Sequence, residues 1–192
     1  MKPTLFLLLG YPGSGKSTVS RQLAAARGMV RINSDELRDY MYGHSAEVHD
    51  PKYNPPVFGA LDYVTDRLLA AGQSVLYDAN NNRRRERIKH EKLAAQHSAR
   101  MVVLWVNTSL DVAKQREAGR ALDPNHLAIP PEIYERSARA FQEPTPEEAA
   151  IIIDGLSSAD EQLRSFDTQL ANLEEGPIDG IYSQITGNGS RS

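Results

Sequence analysis

Short, dense apolar runs alternate along this chain with longer stretches in which apolar residues recur at helical spacing. The runs fall at residues 5–9, 29–33, 74–78, 101–106 and 151–154. Each is too short for an ordinary helix, and the fourth is continuous enough to be buried on both faces, as strands of a parallel sheet are. Between them, helices are predicted over 18–27 (Val19, Leu23, Ala26), 34–41, 57–72 (Phe58, Leu61, Val64, Leu68, Leu69), 83–98, 110–117, 131–141 and 158–173. Gly28 and Gly72 read as helix stops, and Pro131 as a helix start. Residues 43–56 and 121–131 read as loops. Strictly alternating strands and helices predict a three-layer α/β fold with a central, mostly parallel, five-stranded sheet. We place a single domain over 1–173, with a lid at about 116–131, and a flexible Gly-, Ser- and Asn-rich tail over 174–192.

The loop after the first run reads Gly10-Tyr11-Pro12-Gly13-Ser14-Gly15-Lys16-Ser17, which is G-x-x-x-x-G-K-S. It sits between a strand pattern and a helix pattern, the context a phosphate-binding P-loop requires. Glycine at 13 and 15 opens backbone angles closed to other residues, so successive N–H groups can converge on a phosphate at the positive end of a helix. Gly13, Ser14, Gly15, Lys16, Ser17 and Thr18 are therefore the candidates for holding ATP. Lys16 supplies a point charge to the outer phosphates, and the Ser17 hydroxyl is a ligand for Mg²⁺.

Further candidates fall where predicted strands end, the edge at which open α/β sheets bind ligands. Asp35 follows the second strand. It is either a carboxylate able to accept the proton of an attacking hydroxyl or, with Ser34, a plain helix cap. Arg38 lies one turn on and shares its face. Asp78 closes the third strand as a Walker-B-type acid does, or caps the next turn, and Asn80 follows in a polar turn. Arg83, Arg84, Arg85 and Arg87 are either a phosphate-contacting patch or a solvated helix face. Arg116 and Arg120 end a helix before a Pro-containing loop, where a lid could bring them to a transferred phosphoryl group. The alternative is an exposed helix end, where arginine suits the dipole. Trp105 reads as core, and His44 and His49 lack a third ligand at metal spacing.

Composition narrows the function. The 192 residues are 40% hydrophobic and 24% charged, which is ordinary for a soluble globular protein. Cysteine is absent, which excludes thiol catalysis and thiolate metal sites. The net charge of −3 argues against electrostatic coating of nucleic acid. No segment has signal-peptide or membrane-spanning character, so a cytoplasmic location without membrane partners is expected.

Gly10-x-Pro12-Gly13-Ser14-Gly15-Lys16-Ser17-Thr18, then Asn33-Ser34-Asp35-Glu36-Leu37-Arg38, then Asp78-Ala79-Asn80, then Arg116 and Arg120, together resemble the kinase module of phage-type polynucleotide 5′-kinase. They also resemble the wider group of small P-loop kinases around it, which includes gluconate-kinase-like, zeta-toxin-like and chloramphenicol-phosphotransferase-like enzymes. The resemblance covers most of residues 3–170. It implies that Lys16 and Ser17 bind ATP phosphates and Mg²⁺, that Asp35 is the general base, that Arg38 contacts the acceptor, and that Arg120, with Arg116, acts from the lid. Asp78, Asn80 and Arg83 join Arg38 as candidate acceptor contacts. The phosphatase motif D-x-D-G of the phage enzyme has no counterpart at Asp154-Gly155. The expected activity is ATP-dependent transfer of the γ-phosphoryl group to an alcohol, with a nucleic-acid hydroxyl favoured because Arg38 and residues 83–87 could read phosphates. The alternatives are a small-molecule kinase acting on a sugar acid, nucleotide sugar or antibiotic alcohol, and an AAA-like ATPase switch. No N-K-x-D motif of a G-protein-type switch is present.

Overall fold

A computed structural model of the protein describes residues 2–43, 50–120 and 129–175. The elements follow in order: β1 (Thr4–Leu9), α1 (Lys16–Arg27), β2 (Val30–Asn33), α2 (Ser34–Tyr42), α3 (Asn54–Ala70), β3 (Val75–Asp78), α4 (Arg84–Gln96), β4 (Arg100–Asn107), α5 (Leu110–Arg120), α6 (Pro131–Arg139), β5 (Ala150–Asp154) and α7 (Ala159–Glu175). All five strands are parallel, in the order β2-β3-β1-β4-β5. This is the three-layer α/β architecture that the alternating pattern predicts.

The period of two along each strand divides the core into two halves. On one face Phe6, Leu8, Val102, Leu104, Ile151 and Ile153 pack on Val19 and Leu23 of α1 and Phe166 of α7. The rings of Phe6 and Phe166 lie 5.5 Å apart there. On the other face Leu5, Leu7, Val75 and Tyr77 pack on Val57, Leu61 and Leu69 of α3 and Ala94 of α4. β1 is central and covered on both sides, which is why Leu5 to Leu9 can be apolar without a break. β5 is an edge, and Ile152 between buried Ile151 and Ile153 is 45% exposed.

Several boundaries differ from expectation. α3 begins at Asn54 rather than at residue 57, with Pro55 and Pro56 in its first turn, where a missing N–H costs nothing. A short 3₁₀ turn over Pro51–Tyr53 leads into it, capped by the Asp50 side chain. α5 runs through Arg120 rather than to residue 117, so Arg116 and Arg120 stand on one helix. α7 continues to Glu175, past the residue-173 boundary expected for the domain. The expected lid segment over 121–128, His44 and His49, and the tail from 176 lie outside the described residues. Among the described residues, no helix is long and apolar enough to cross a membrane.

Candidate active site

The P-loop leaves β1 at Leu9 and turns on glycines with positive φ: Gly10 at 147°, Gly13 at 82° and Gly15 at 102°. A Cβ on Gly13 would lie 2.2 Å from the carbonyl oxygen of Ala113 on α5. That glycine is therefore required by packing as well as by loop conformation. Gly15 occupies the N-cap position of α1, and no side chain caps the helix. The first amides of α1 are thus left facing the loop, the arrangement that binds phosphate. Lys16 folds back, its Nζ donating to the carbonyls of Gly10 at 2.8 Å and Tyr11 at 2.7 Å. Burial pushes its pKa down to about 8, although the nearby carboxylates of Asp78 and Asp35 pull it upward. The charge of Arg120 lowers it further.

Asp78, at the end of β3, is 2% exposed. Its Oδ2 accepts from Ser20 Oγ at 2.7 Å and from Arg31 Nη2 at 2.6 Å. Its Oδ1 is left facing Ser17 Oγ at 3.5 Å. This carboxylate turns toward Ser17 and Ser20 of the P-loop helix. Two hard oxygen donors side by side, on a helix N-terminus and a strand end, fit Mg²⁺. Arg31 also donates to both oxygens of Glu36 at 2.9 Å.

The alternative role for Asp35, a helix cap, is taken by its neighbour. Asn33 Oδ1 accepts from the amides of Asp35 at 3.0 Å and Glu36 at 2.8 Å. Its Nδ2 donates to the Asp78 carbonyl at 3.1 Å, tying the start of α2 to β3. The Asp35 carboxylate is left 78% exposed, held by Arg38 Nη1 at 2.8 Å. Arg38 itself is 7% exposed, with Nη2 donating to Asn54 Oδ1 at 3.0 Å. Its Nε is buried without a partner.

The asparagine turn after β3 is mostly bracing. Asn81 Nδ2 donates to the carbonyl of Leu8, and Asn82 Oδ1 accepts from the amide of Gly10. Asn80 is exposed and donates to Ser137 Oγ of α6 at 2.7 Å. The arginines that follow divide. Arg87 is fully buried, pairing with Glu148 at 2.6 Å and donating to the carbonyls of Asn81, Asn82, Gln142 and Glu143. It is neither a ligand-reading cation nor a solvated one; it staples the turn to residues 142–148. Arg84 and Arg85 remain exposed, and Arg83 is half-buried.

From α5, Arg116 Nη1 donates to the Gly155 carbonyl at 3.0 Å and lies 3.9 Å from where a Gly15 Cβ would stand. Arg120 pairs with buried Glu117. Tyr134 of α6 donates to the Pro12 carbonyl at 3.3 Å, and Phe141 stacks between Tyr11 and Trp105 at 4.6 and 5.9 Å. Gly155 lies directly beneath the loop, a Cβ there falling 2.0 Å from Thr108 Oγ1 and 2.6 Å from the Ser14 carbonyl. Arg31, Asn33, Tyr134, Phe141 and Gly155 were not legible as site residues, although the Asn33-Ser34-Asp35 triplet carried a capping signal one residue away.

Comparison with known proteins agrees with this geometry. The sequence profile of the AAA_33 family, described as an AAA domain, matches residues 5–144. Shikimate kinase from Corynebacterium glutamicum is 27% identical over 154 residues, covering 76% of this chain and 83% of that protein. The fold is shared with Kti12 from Chaetomium thermophilum, solved with ADP-AlF3, at a TM-score of 0.72 and 19% identity over 87% of this chain and 97% of that one. It is also shared with a gluconokinase from Sinorhizobium meliloti, at a TM-score of 0.60 and 21% identity over 91% and 94% of the two chains. A P-loop with its lysine, a hydroxyl beside a strand-end acid and kinase relatives together describe an ATP-dependent phosphotransferase. The chain belongs to the AAA_33 family of AAA domains, as a kinase of the P-loop type.

Proposed function

We propose that this kinase transfers the γ-phosphoryl group of ATP to a hydroxyl of a small-molecule acceptor, with Asp35 as general base. The observation that carries the reading is the state of Asp35. Its carboxylate is exposed, relieved of capping by Asn33, oriented by buried Arg38, and close enough to the P-loop for its charge to act on Lys16.

The triphosphate lies in the cradle of residues 13–18, and Lys16 exchanges its loop carbonyls for phosphate oxygens. Ser17 and Asp78 Oδ1 would hold Mg²⁺, which when bound neutralises phosphate charge. Asp35 takes the proton of the acceptor hydroxyl as its oxygen bonds to the γ-phosphorus, while the bond to the bridging oxygen breaks and ADP leaves. Arg120 and Arg116, on a helix that touches the P-loop, supply positive charge to the group in transit.

Two features favour a small acceptor over a nucleic-acid strand. Arg38 and Arg87, two of the cations on which the nucleic-acid expectation rested, are folded inward and engaged by protein groups. Two of the relatives, shikimate kinase and gluconokinase, are named as kinases of small molecules. The reading is tested by transfer of labelled phosphate from ATP to a panel of sugar acids, nucleotide sugars, antibiotic alcohols and 5′-hydroxyl DNA and RNA. Transfer to a small alcohol, lost by orders of magnitude in Lys16→Ala and Asp35→Ala, is expected. Near-normal turnover of Asp35→Ala on the true acceptor would remove the base assignment, and transfer to polynucleotide ends alone would remove the small acceptor.

A further inference from the structure

The start of α4 and the face of α6 border an open groove of about 860 Å³. Arg83, Arg84, Arg85, Arg136 and Arg139 line it, against Glu132 as its one lining carboxylate. The chain as a whole carries a net charge of −3, so this concentration of cations is local. Arg83 lies 4.0 Å from Glu86, whereas Arg85 and Arg136 form no ion pair among the described residues. Arg84 feels Glu147 and Glu148 only through space, and Glu135, which feels Arg139 in the same way, is bound by Lys114.

Arg136 and Arg139 stand in the last turn of α6, where cations suit the helix dipole, but helix stability does not account for the others. Three of the arginines crowd the N-terminal end of α4, where cations oppose the dipole. The groove is also held open in advance. Asn80 Nδ2 donates to Ser137 Oγ, which lies on α6 between Arg136 and Arg139. The Arg84 amide donates to Gln142 Oε1 at 2.7 Å, and the Gln142 amide to the Asn82 carbonyl at 2.8 Å. Asn82 in turn receives the Gly10 amide of the P-loop, so the groove wall and the phosphate cradle share one brace.

We propose that this groove binds a phosphomonoester, the end of the acceptor remote from the reacting hydroxyl, so that the acceptor is a phosphorylated alcohol. The inference rests on the kinase reading above and narrows it. Guanidinium groups bind phosphate through paired hydrogen bonds, and a dianion with three free oxygens can engage several at once. Five arginines facing one carboxylate offer more charge than a single acceptor carboxylate would neutralise.

The test uses the full chain, with the P-loop filled by Mg²⁺ and a non-hydrolysable ATP analogue so that added phosphate reads the groove alone. Ribose 5-phosphate and ribose are titrated as matched probes, and both are then offered with ATP among other matched pairs of phosphorylated and unphosphorylated alcohols. Saturable binding of ribose 5-phosphate but not ribose is expected. Arg84→Gln and Arg136→Gln should each weaken it about tenfold, with unchanged melting temperature because both side chains are exposed. Phosphorylated members of the pairs should be the ones phosphorylated, with the variants raising KM for the acceptor rather than lowering kcat. Equal binding of the two probes overturns the groove assignment. Transfer to an unphosphorylated alcohol that is indifferent to both substitutions overturns it too, while leaving the kinase reading intact. Phosphate binding in the groove without transfer to any phosphorylated alcohol overturns the assignment of that ligand as acceptor. Binding of a 5′-hydroxyl oligonucleotide far in excess of the mononucleotide-sized probe replaces the small acceptor with a strand.

Discussion

Arg31 of β2 and Asp78 of β3, diagonal to each other on adjacent strands, form an ion pair almost without solvent. Nη2 lies 2.6 Å from Oδ2, with side-chain exposures of 10% and 2%. The pair commits one carboxylate oxygen to structure and leaves the other facing Ser17. Removing one partner of such a pair leaves the other charge buried and uncompensated. Arg31→Gln should therefore cost about 3 kcal/mol in denaturant unfolding. It should also shrink the difference between ATP affinities with and without Mg²⁺, and Arg31→Lys should retain part of that difference. Calorimetric titration in both conditions decides; an unchanged difference would show that Arg31 serves stability alone.

Asn33 and Asp35 should separate by experiment. Loss of the cap in Asn33→Ala should cost about 1 to 2 kcal/mol, and transfer should fall because α2 carries Asp35. Asp35→Asn removes a carboxylate that is 78% exposed, so stability should change by less than about 1 kcal/mol. Transfer should nevertheless drop roughly 10²- to 10⁴-fold. Unfolding curves and single-turnover rates on the same samples give both quantities, and parallel losses in Asp35→Asn would contradict a catalytic role.

Gly155→Ala and Gly28→Ala form a contrast. A methyl at 155 meets Thr108 Oγ1 at 2.0 Å and the Ser14 carbonyl at 2.6 Å, whereas at 28 nothing lies within 4 Å and only a φ of +63° resists. We expect Gly155→Ala to cost about 2 kcal/mol by overpacking and to weaken ATP binding by displacing Ser14. Gly28→Ala should cost about 1 kcal/mol and leave ATP affinity unchanged. Equal ATP affinities in the two variants would mean that the floor beneath the P-loop yields freely.

Asp62 of α3 gives a pH signature. Burial pushes its carboxyl up, but hydrogen bonds from His90, Lys89 and Tyr77 outweigh this and hold its pKa at about 2 against an ordinary 3.8. A carboxylate with a folded value below its unfolded one adds stability that is complete above the unfolded value and lost as pH falls through the folded one. The contribution at neutral pH is about 2 kcal/mol, and it should disappear between about pH 4 and pH 2. Asp62→Asn should lower stability at pH 7 by a similar amount and flatten that acid limb, as followed by unfolding free energy against pH.

Local signals were strong enough to locate the strands, the P-loop and most helix starts, that of α3 excepted, because each depends on neighbours within a few residues. Gly10 to Ser17 carries its meaning in its own spacing, and Leu5 to Leu9 declares a doubly covered strand by having no polar break. The same local reading treated Arg87 as one of four surface arginines. Its burial depends on Glu148, sixty-one residues away along the chain. Arg31 finds Asp78 across forty-seven residues, and Gly155 matters only because β5 ends beneath Ser14.

By itself, then, the amino-acid order determined a parallel α/β sheet led by a nucleotide-binding loop, since hydropathy period and glycine placement act over one or two turns. Tertiary structure alone decided which charged groups are scaffold and which are exposed to a ligand. Burying a charge is favourable only when a distant partner arrives to compensate it, and no local pattern records that partner. Asn33 took the cap and released Asp35, and Arg87 turned inward while Arg84 and Arg85 stayed out to face α6.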